Sequence, residues 1–210
     1  MMKREKTGKA EKVSFFSGAG FDIVAIAASA GGLRALEDVL RGLPMDFAAA
    51  IVVVQHLDPR HRSLMADILS RHTPLRVKQA EKDDVLTAGT VYIAPPNRHL
   101  LVNTDGSLSL TESELVHFVR PSADLLFESV AASHKERAIA IVLTGTGSDG
   151  SMGVRAIKKM GGTVIAQDEE TSEFFGMPAA AIQTGDVDFV LPLPEISSAI
   201  VTLVMRGDAT

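Results

Sequence analysis

The sequence predicts an α/β fold, a mainly parallel, doubly wound sheet flanked by helices. Apolar runs rich in β-branched residues alternate with segments of helical period, the pattern of parallel strands joined by crossover helices. At 210 residues the chain is long enough to bury one sizeable core, so a single large α/β domain over residues 21–206 is the simplest reading. The stretch from Leu75 to Glu114 breaks the rhythm with short strand-like runs between Pro, Asn and Asp-Gly turn signals, and an antiparallel excursion is expected there.

Strands are expected near Ile23–Ala28, Ala50–Gln55, Ala138–Leu143, Thr163–Ala166 and Val187–Val190. Helices are expected near Leu33–Arg41, Ser63–Arg71, Ala123–Ser133, Gly153–Met160 and Glu195–Val204. Residues 1–20 carry Lys3, Arg4, Lys6, Lys9 and Lys12 against Glu5 and Glu11, which reads as a flexible tail. Internal repeats and low-complexity segments are absent from the sequence.

Composition narrows the chemistry. A net charge of −5 argues against a nucleic-acid partner, which needs a dominant basic surface. No apolar stretch approaches the about 18 residues that cross a bilayer, and the start lacks the apolar core of a signal peptide, so a cytoplasmic chain without membrane insertion is expected. Zero cysteines exclude disulfides, thiol catalysis and cysteine zinc sites.

Ser29 ends the first apolar run and is followed by Ala30, Gly31 and Gly32 at the opening of a helix. Such a cluster can be plain turn punctuation. In an open parallel sheet, however, ligands bind beyond the carboxyl ends of the strands, where a helix N-terminus offers free N–H groups. The second run leads straight into His56, and an imidazole on the same rim could take a proton from the Ser29 hydroxyl. The run Ala138–Leu143 leads to Asp149, whose carboxylate could orient that imidazole and stabilise it when protonated. Three such arrivals of complementary groups make a serine-hydrolase constellation the favoured reading.

The remaining histidines, His61, His72, His99, His117 and His134, lie in helices, turns or polar stretches, and no metal-ligand spacing joins them. No metal and no cofactor are expected. A rival reading uses Gly145-Thr146-Gly147-Ser148-Asp149-Gly150, which fits the dinucleotide fingerprint G-x-G-x-x-G, with Asp168 about twenty residues further on. A dinucleotide-binding oxidoreductase domain is therefore the alternative, although Asp149 puts negative charge inside the loop meant for a pyrophosphate, and Ser29 and His56 are left idle. Asp168 and Glu169 are otherwise expected to be solvated.

With these motifs in view, the sequence resembles the catalytic domain of the CheB family, the chemotaxis receptor protein-glutamate methylesterases. The resemblance runs from about Ile23 to Ile200 and rests on AASAGG, VVVQH, YIAPPNRHL, VRPSADLLFESVA, IVLTGTGSDGSMG and FFGMPAAAI, in the family's order. It implies a nucleophile at Ser29, a base at His56 and an acid at Asp149. It also implies hydrolysis of γ-glutamyl methyl esters on the cytoplasmic helices of chemoreceptors, releasing methanol, with deamidation of receptor glutamines as a related activity. Backbone amides at Ala30 and Thr146 are expected to form the oxyanion hole, and Arg120 and Met177 match family loops beside the substrate. Helix initiation is the competing reading for those loops, with Ser122 as a cap and Pro178 as a first-turn proline. Ala30 and Thr146 depart from the common Thr and Met at those positions and look more like the variant fused to a receptor methyltransferase domain. That enzyme, or another chemotaxis protein, is thus an expected further partner. Family members often carry an N-terminal receiver domain; with about twenty residues before the first strand, control by phosphorylation is not expected of this chain.

Overall fold

The computed structural model describes residues 20–56 and 63–205. Residues 1–19, which cover nearly all of the expected tail, and His61 lie outside the described residues. Seven parallel strands form the central sheet: β1 (Ile23–Ala28), β2 (Ala50–Gln55), β3 (Arg76–Gln79), β4 (Thr90–Ile93), β7 (Ala138–Val142), β8 (Thr163–Gln167) and β9 (Phe189–Leu191). They run in the order β3-β4-β2-β1-β7-β8-β9. A small antiparallel pair, β5 (His99–Val102) and β6 (Leu108–Thr111), stands apart from the sheet.

Side chains of β1 alternate between two cores, as a period of two requires. Ile23, Ala25 and Ala27 join Leu126, Phe127 and Val130 of α3 (Ala123–His134), Val154 and Ile157 of α4 (Ser151–Lys159), and Met177 and Ala181 of α5 (Gly176–Gln183). Val24, Ile26 and Ala28 join Leu36 and Leu40 of α1 (Gly32–Arg41), Met65 and Leu69 of α2 (Met65–Leu69), and Ile196 and Ile200 of α6 (Leu193–Met205). Burial on both faces explains why the central strands read as unbroken apolar runs.

The expected antiparallel excursion is only partly antiparallel. β3 and β4 pair parallel and lie in the main sheet, while the antiparallel pairing is confined to β5 and β6 and to a bridge between Val85 and Ser107. No helix occupies the link over residues 80–89. Its backbone instead pairs with the β6 hairpin, through Asp83 N–H to Leu108 O and Leu86 N–H to Gly106 O. Alternating short strands read alike in either direction, so local signals could not separate the two pairings. Helix α5 was not expected as an element, apart from Pro178 in its first turn, and β9 is shifted towards Leu191. Among the described residues no helix is long and apolar enough to cross a membrane.

The order in which the strands are laid down reverses at β1, which pairs in parallel with β2 on one side and β7 on the other. That reversal opens a crevice beyond the carboxyl ends of β1, β2 and β7. At the opposite end of β1, Arg137 forms a bidentate ion pair with the buried Asp22, which ties the start of the strand to the start of β7.

Candidate active site

The ladder continues past the strands and sets the backbone of the site. Ser29 N–H donates to Thr144 O at 3.0 Å, and His56 N–H donates to Ala28 O at 3.1 Å. Gln55, buried at the end of β2, donates its amide to Ser29 O at 2.6 Å and to His56 O at 3.2 Å. One side chain thus ties the two segments together. A polar residue closing the apolar run VVVQH was the available signal for it, and the sequence reading passed over it.

Two glycines are dictated by the turn itself. Gly31 sits at φ +76°, a left-handed conformation that a side chain disfavours. A β-carbon at Gly145 would collide with Met177 Sδ and lie 2.8 Å from Ser29 Cβ. Met177 is fully buried, and its N–H donates to Gly145 O, so it packs beneath the loop that faces Ser29.

The imidazole of His56 is bonded through Nε2 to Asp149 Oδ2 at 2.8 Å. Its side chain is 14% exposed and that of Asp149 only 4%. Asp149 lies at the N-terminus of α3, where Oδ2 accepts from Ala123 N–H at 2.6 Å and Oδ1 from Ser122 Oγ at 2.8 Å and Asp124 N–H at 3.1 Å. Burial works against the charged carboxylate, but the bond from His56 and the three donors of α3 outweigh it and hold the Asp149 pKa below the ordinary value. Neighbouring Asp124 is shifted the other way: burial, with the charge on Asp149 adding to it, pushes its carboxyl up. The donors of α3 thus favour the ionised form of Asp149. An anion at a helix N-terminus is in the position the helix dipole favours.

Of the residues expected at the site, His56 and Asp149 are brought into direct contact, and Ser29 is placed on the same rim with its Oγ bonded to no other described residue. The backbone N–H groups of Ala30 and Thr146 likewise donate to no other described residue. Arg120 is occupied within its own loop, donating to Asn97 Oδ1, Glu112 O and Ser113 O. Ser122 serves as the N-cap of α3, as the structural reading of that loop anticipated, and it also donates to Asp149.

His99, set aside with the other histidines, is fully buried behind the site. Its Nδ1 accepts from Ser122 N–H at 3.1 Å and its Nε2 bonds Glu114 O at 3.0 Å, so it holds the first turn of α3 that cradles Asp149. Nothing local to NRHLL signals a contact made 23 positions away.

The dinucleotide reading finds no support. Asp149 turns away from the loop into α3, Gly176 packs against Gly145 and Gly147, and Asp168 Oδ1 is spent on Thr171. Among the described residues no cluster of three His, Asp or Glu could hold a metal ion.

A family profile described as CheB methylesterase matches residues 24–200. The chain belongs to the CheB methylesterase family. It is 40% identical to the catalytic domain of a Thermotoga maritima CheB methylesterase, whose crystal structure superposes with a TM-score of 0.84, covering 88% of this chain and 99% of that one. A Leptospira interrogans protein, provisionally named protein-glutamate methylesterase/protein-glutamine glutaminase, is 38% identical over 183 residues, 87% of this chain and 95% of its own length. A Geobacillus kaustophilus protein-glutamate methylesterase/protein-glutamine glutaminase is 46% identical over 186 residues, but these span only 53% of that protein. The domain thus fills one relative and about half of the other.

Proposed function

We propose that this CheB-family chain hydrolyses the γ-methyl esters of glutamate residues on chemoreceptors in the cytoplasm, with Ser29 as nucleophile, His56 as base and Asp149 as the orienting acid. The observation that carries the reading is the 2.8 Å bond from His56 Nε2 to a buried, ionised Asp149, on the same rim as a serine whose hydroxyl has no partner among the described residues. With Nε2 donating to the carboxylate, Nδ1 is left as the basic nitrogen. The ring is thus used the other way round from the Ser-His-Asp protease arrangement, where Nδ1 faces the acid.

In the proposed reaction, Ser29 Oγ attacks the ester carbonyl while Nδ1 of His56 takes the hydroxyl proton. The tetrahedral oxyanion is met by the N–H groups of Ala30 and Thr146, a contribution of about 3 kcal/mol per donor in comparable hydrolases. The imidazolium returns the proton to the departing methoxide, giving methanol and an acyl-serine. Water then attacks the acyl group, His56 accepts its proton and passes it to Oγ, and the glutamate carboxylate leaves. A receptor glutamine enters the same cycle with ammonia as the leaving group. A receptor methyltransferase is the further partner that the variant motifs at Ala30 and Thr146 imply.

Incubation with a fluorophosphonate, followed by peptide mapping, gives a single adduct on Ser29, and a methylated receptor fragment releases methanol. An adduct elsewhere removes Ser29 from the mechanism. Gly145→Ala tests the geometry around it: the added carbon has to displace Ser29 or Met177, and a shift near 1 Å lowers kcat by about 10²-fold. A rate within a few-fold of wild type shows that the close approach at Gly145 does not position Ser29.

A further inference from the structure

Residues 116–119 form a two-residue hairpin turn, with Val119 N–H donating to Val116 O at 2.9 Å and Val116 N–H to Val119 O at 3.2 Å. Both central residues are left-handed, His117 at φ +48° and Phe118 at φ +65°. Such turns normally carry Asn and Gly, because bulky side chains are strained there. The strained pair nevertheless holds Phe118 95% exposed.

The turn is fastened at its base. Arg120 clamps Asn97, Glu112 and Ser113, and His117 Nε2 lies 3.4 Å from Asp124 Oδ2. Asp124 N–H in turn bonds Asp149, which bonds His56, so the turn is joined to the dyad through Asp124. Exposed Met152 and Phe174 belong to the segments that follow Asp149 and contact Gly145. A large ring kept in water by a strained turn contributes nothing to the chain's own core, and its apolar faces are left for a contact with another molecule.

We propose that Phe118 is a specificity-determining residue: it buries its ring against an apolar side chain of the polypeptide substrate next to the esterified glutamate. The inference rests on the methylesterase reading above, under which the molecule at this rim is a protein. On this proposal a small ester reacts at Ser29 without engaging the turn, whereas a receptor segment engages both.

The test compares kcat/KM for a methylated receptor fragment with kcat/KM for p-nitrophenyl acetate. In Phe118→Ala the ratio of the two falls by more than about fivefold, through KM for the receptor, as loss of a buried aromatic anchor predicts. Phe118→Leu recovers at least about half of the ratio on a logarithmic scale, because it restores apolar burial. A smaller fall in Phe118→Ala, including a parallel loss on both substrates, overturns the proposal, as does a Phe118→Leu variant no better than Phe118→Ala. Absence of methanol release by the wild-type protein overturns the underlying methylesterase reading instead, and this proposal with it.

Discussion

Replacing Ser29 with alanine lowers turnover of the methylated receptor by about 10⁶-fold, the loss seen when a serine hydrolase is deprived of its nucleophile. The fold is expected to survive. What holds residue 29 in place is backbone: its N–H bonds Thr144 O, and its carbonyl accepts from Gln55 and Gly32. The hydroxyl has no partner among the described residues, so its removal leaves no buried group unsatisfied. Stability should change by no more than about 0.5 kcal/mol. Steady-state methanol release, thermal unfolding and fluorophosphonate labelling together check the result. Turnover within tenfold of wild type would falsify the assignment of Ser29.

Asp149→Asn has a double effect. Turnover falls by about 10³ to 10⁴, because the amide cannot fix the imidazole's tautomer or stabilise the imidazolium. Stability falls as well, for a reason visible only in the α3 cradle. Each carboxylate oxygen accepts a backbone N–H, Ala123 on Oδ2 and Asp124 on Oδ1. Whichever oxygen the amide nitrogen replaces, a donor then faces a donor, at a cost of about 1–3 kcal/mol. The pH dependence follows from the sign of the shift. The folded pKa of Asp149 lies below the ordinary 3.8, so its contribution to stability is complete above that value and is lost as pH falls below it. The gap in unfolding midpoint between wild type and Asp149→Asn should therefore narrow in acid below 3.8. A constant gap, or an unchanged rate, removes the carboxylate from the role given to it.

How much of this was legible beforehand differs by element. β1 and β2 fall on the expected residues because strands buried on both faces carry an unbroken apolar signal. Ser29 and His56 stand directly after such strands, and Asp149 follows β7 at the end of a glycine-rich loop. The direction of β3 and β4 was not, because a period of two reads identically in parallel and antiparallel pairs. Arg120 matched a family loop but spends its guanidinium on Asn97 and on two carbonyls, a detail no motif encodes.

The sequence by itself determined the α/β alternation and where Ser29, His56 and Asp149 fall after the apolar runs. These follow from local periodicity and residue type. Only the tertiary structure decided that Asp149 is seated in the first turn of α3, that Gln55 and His99 hold the pieces in place, and which nitrogen of His56 meets the acid. Those outcomes depend on contacts between residues tens of positions apart, such as His56 and Asp149 at a separation of 93. Long-range pairing of this kind is set by packing of the whole sheet and its helices, and local patterns carry no record of it.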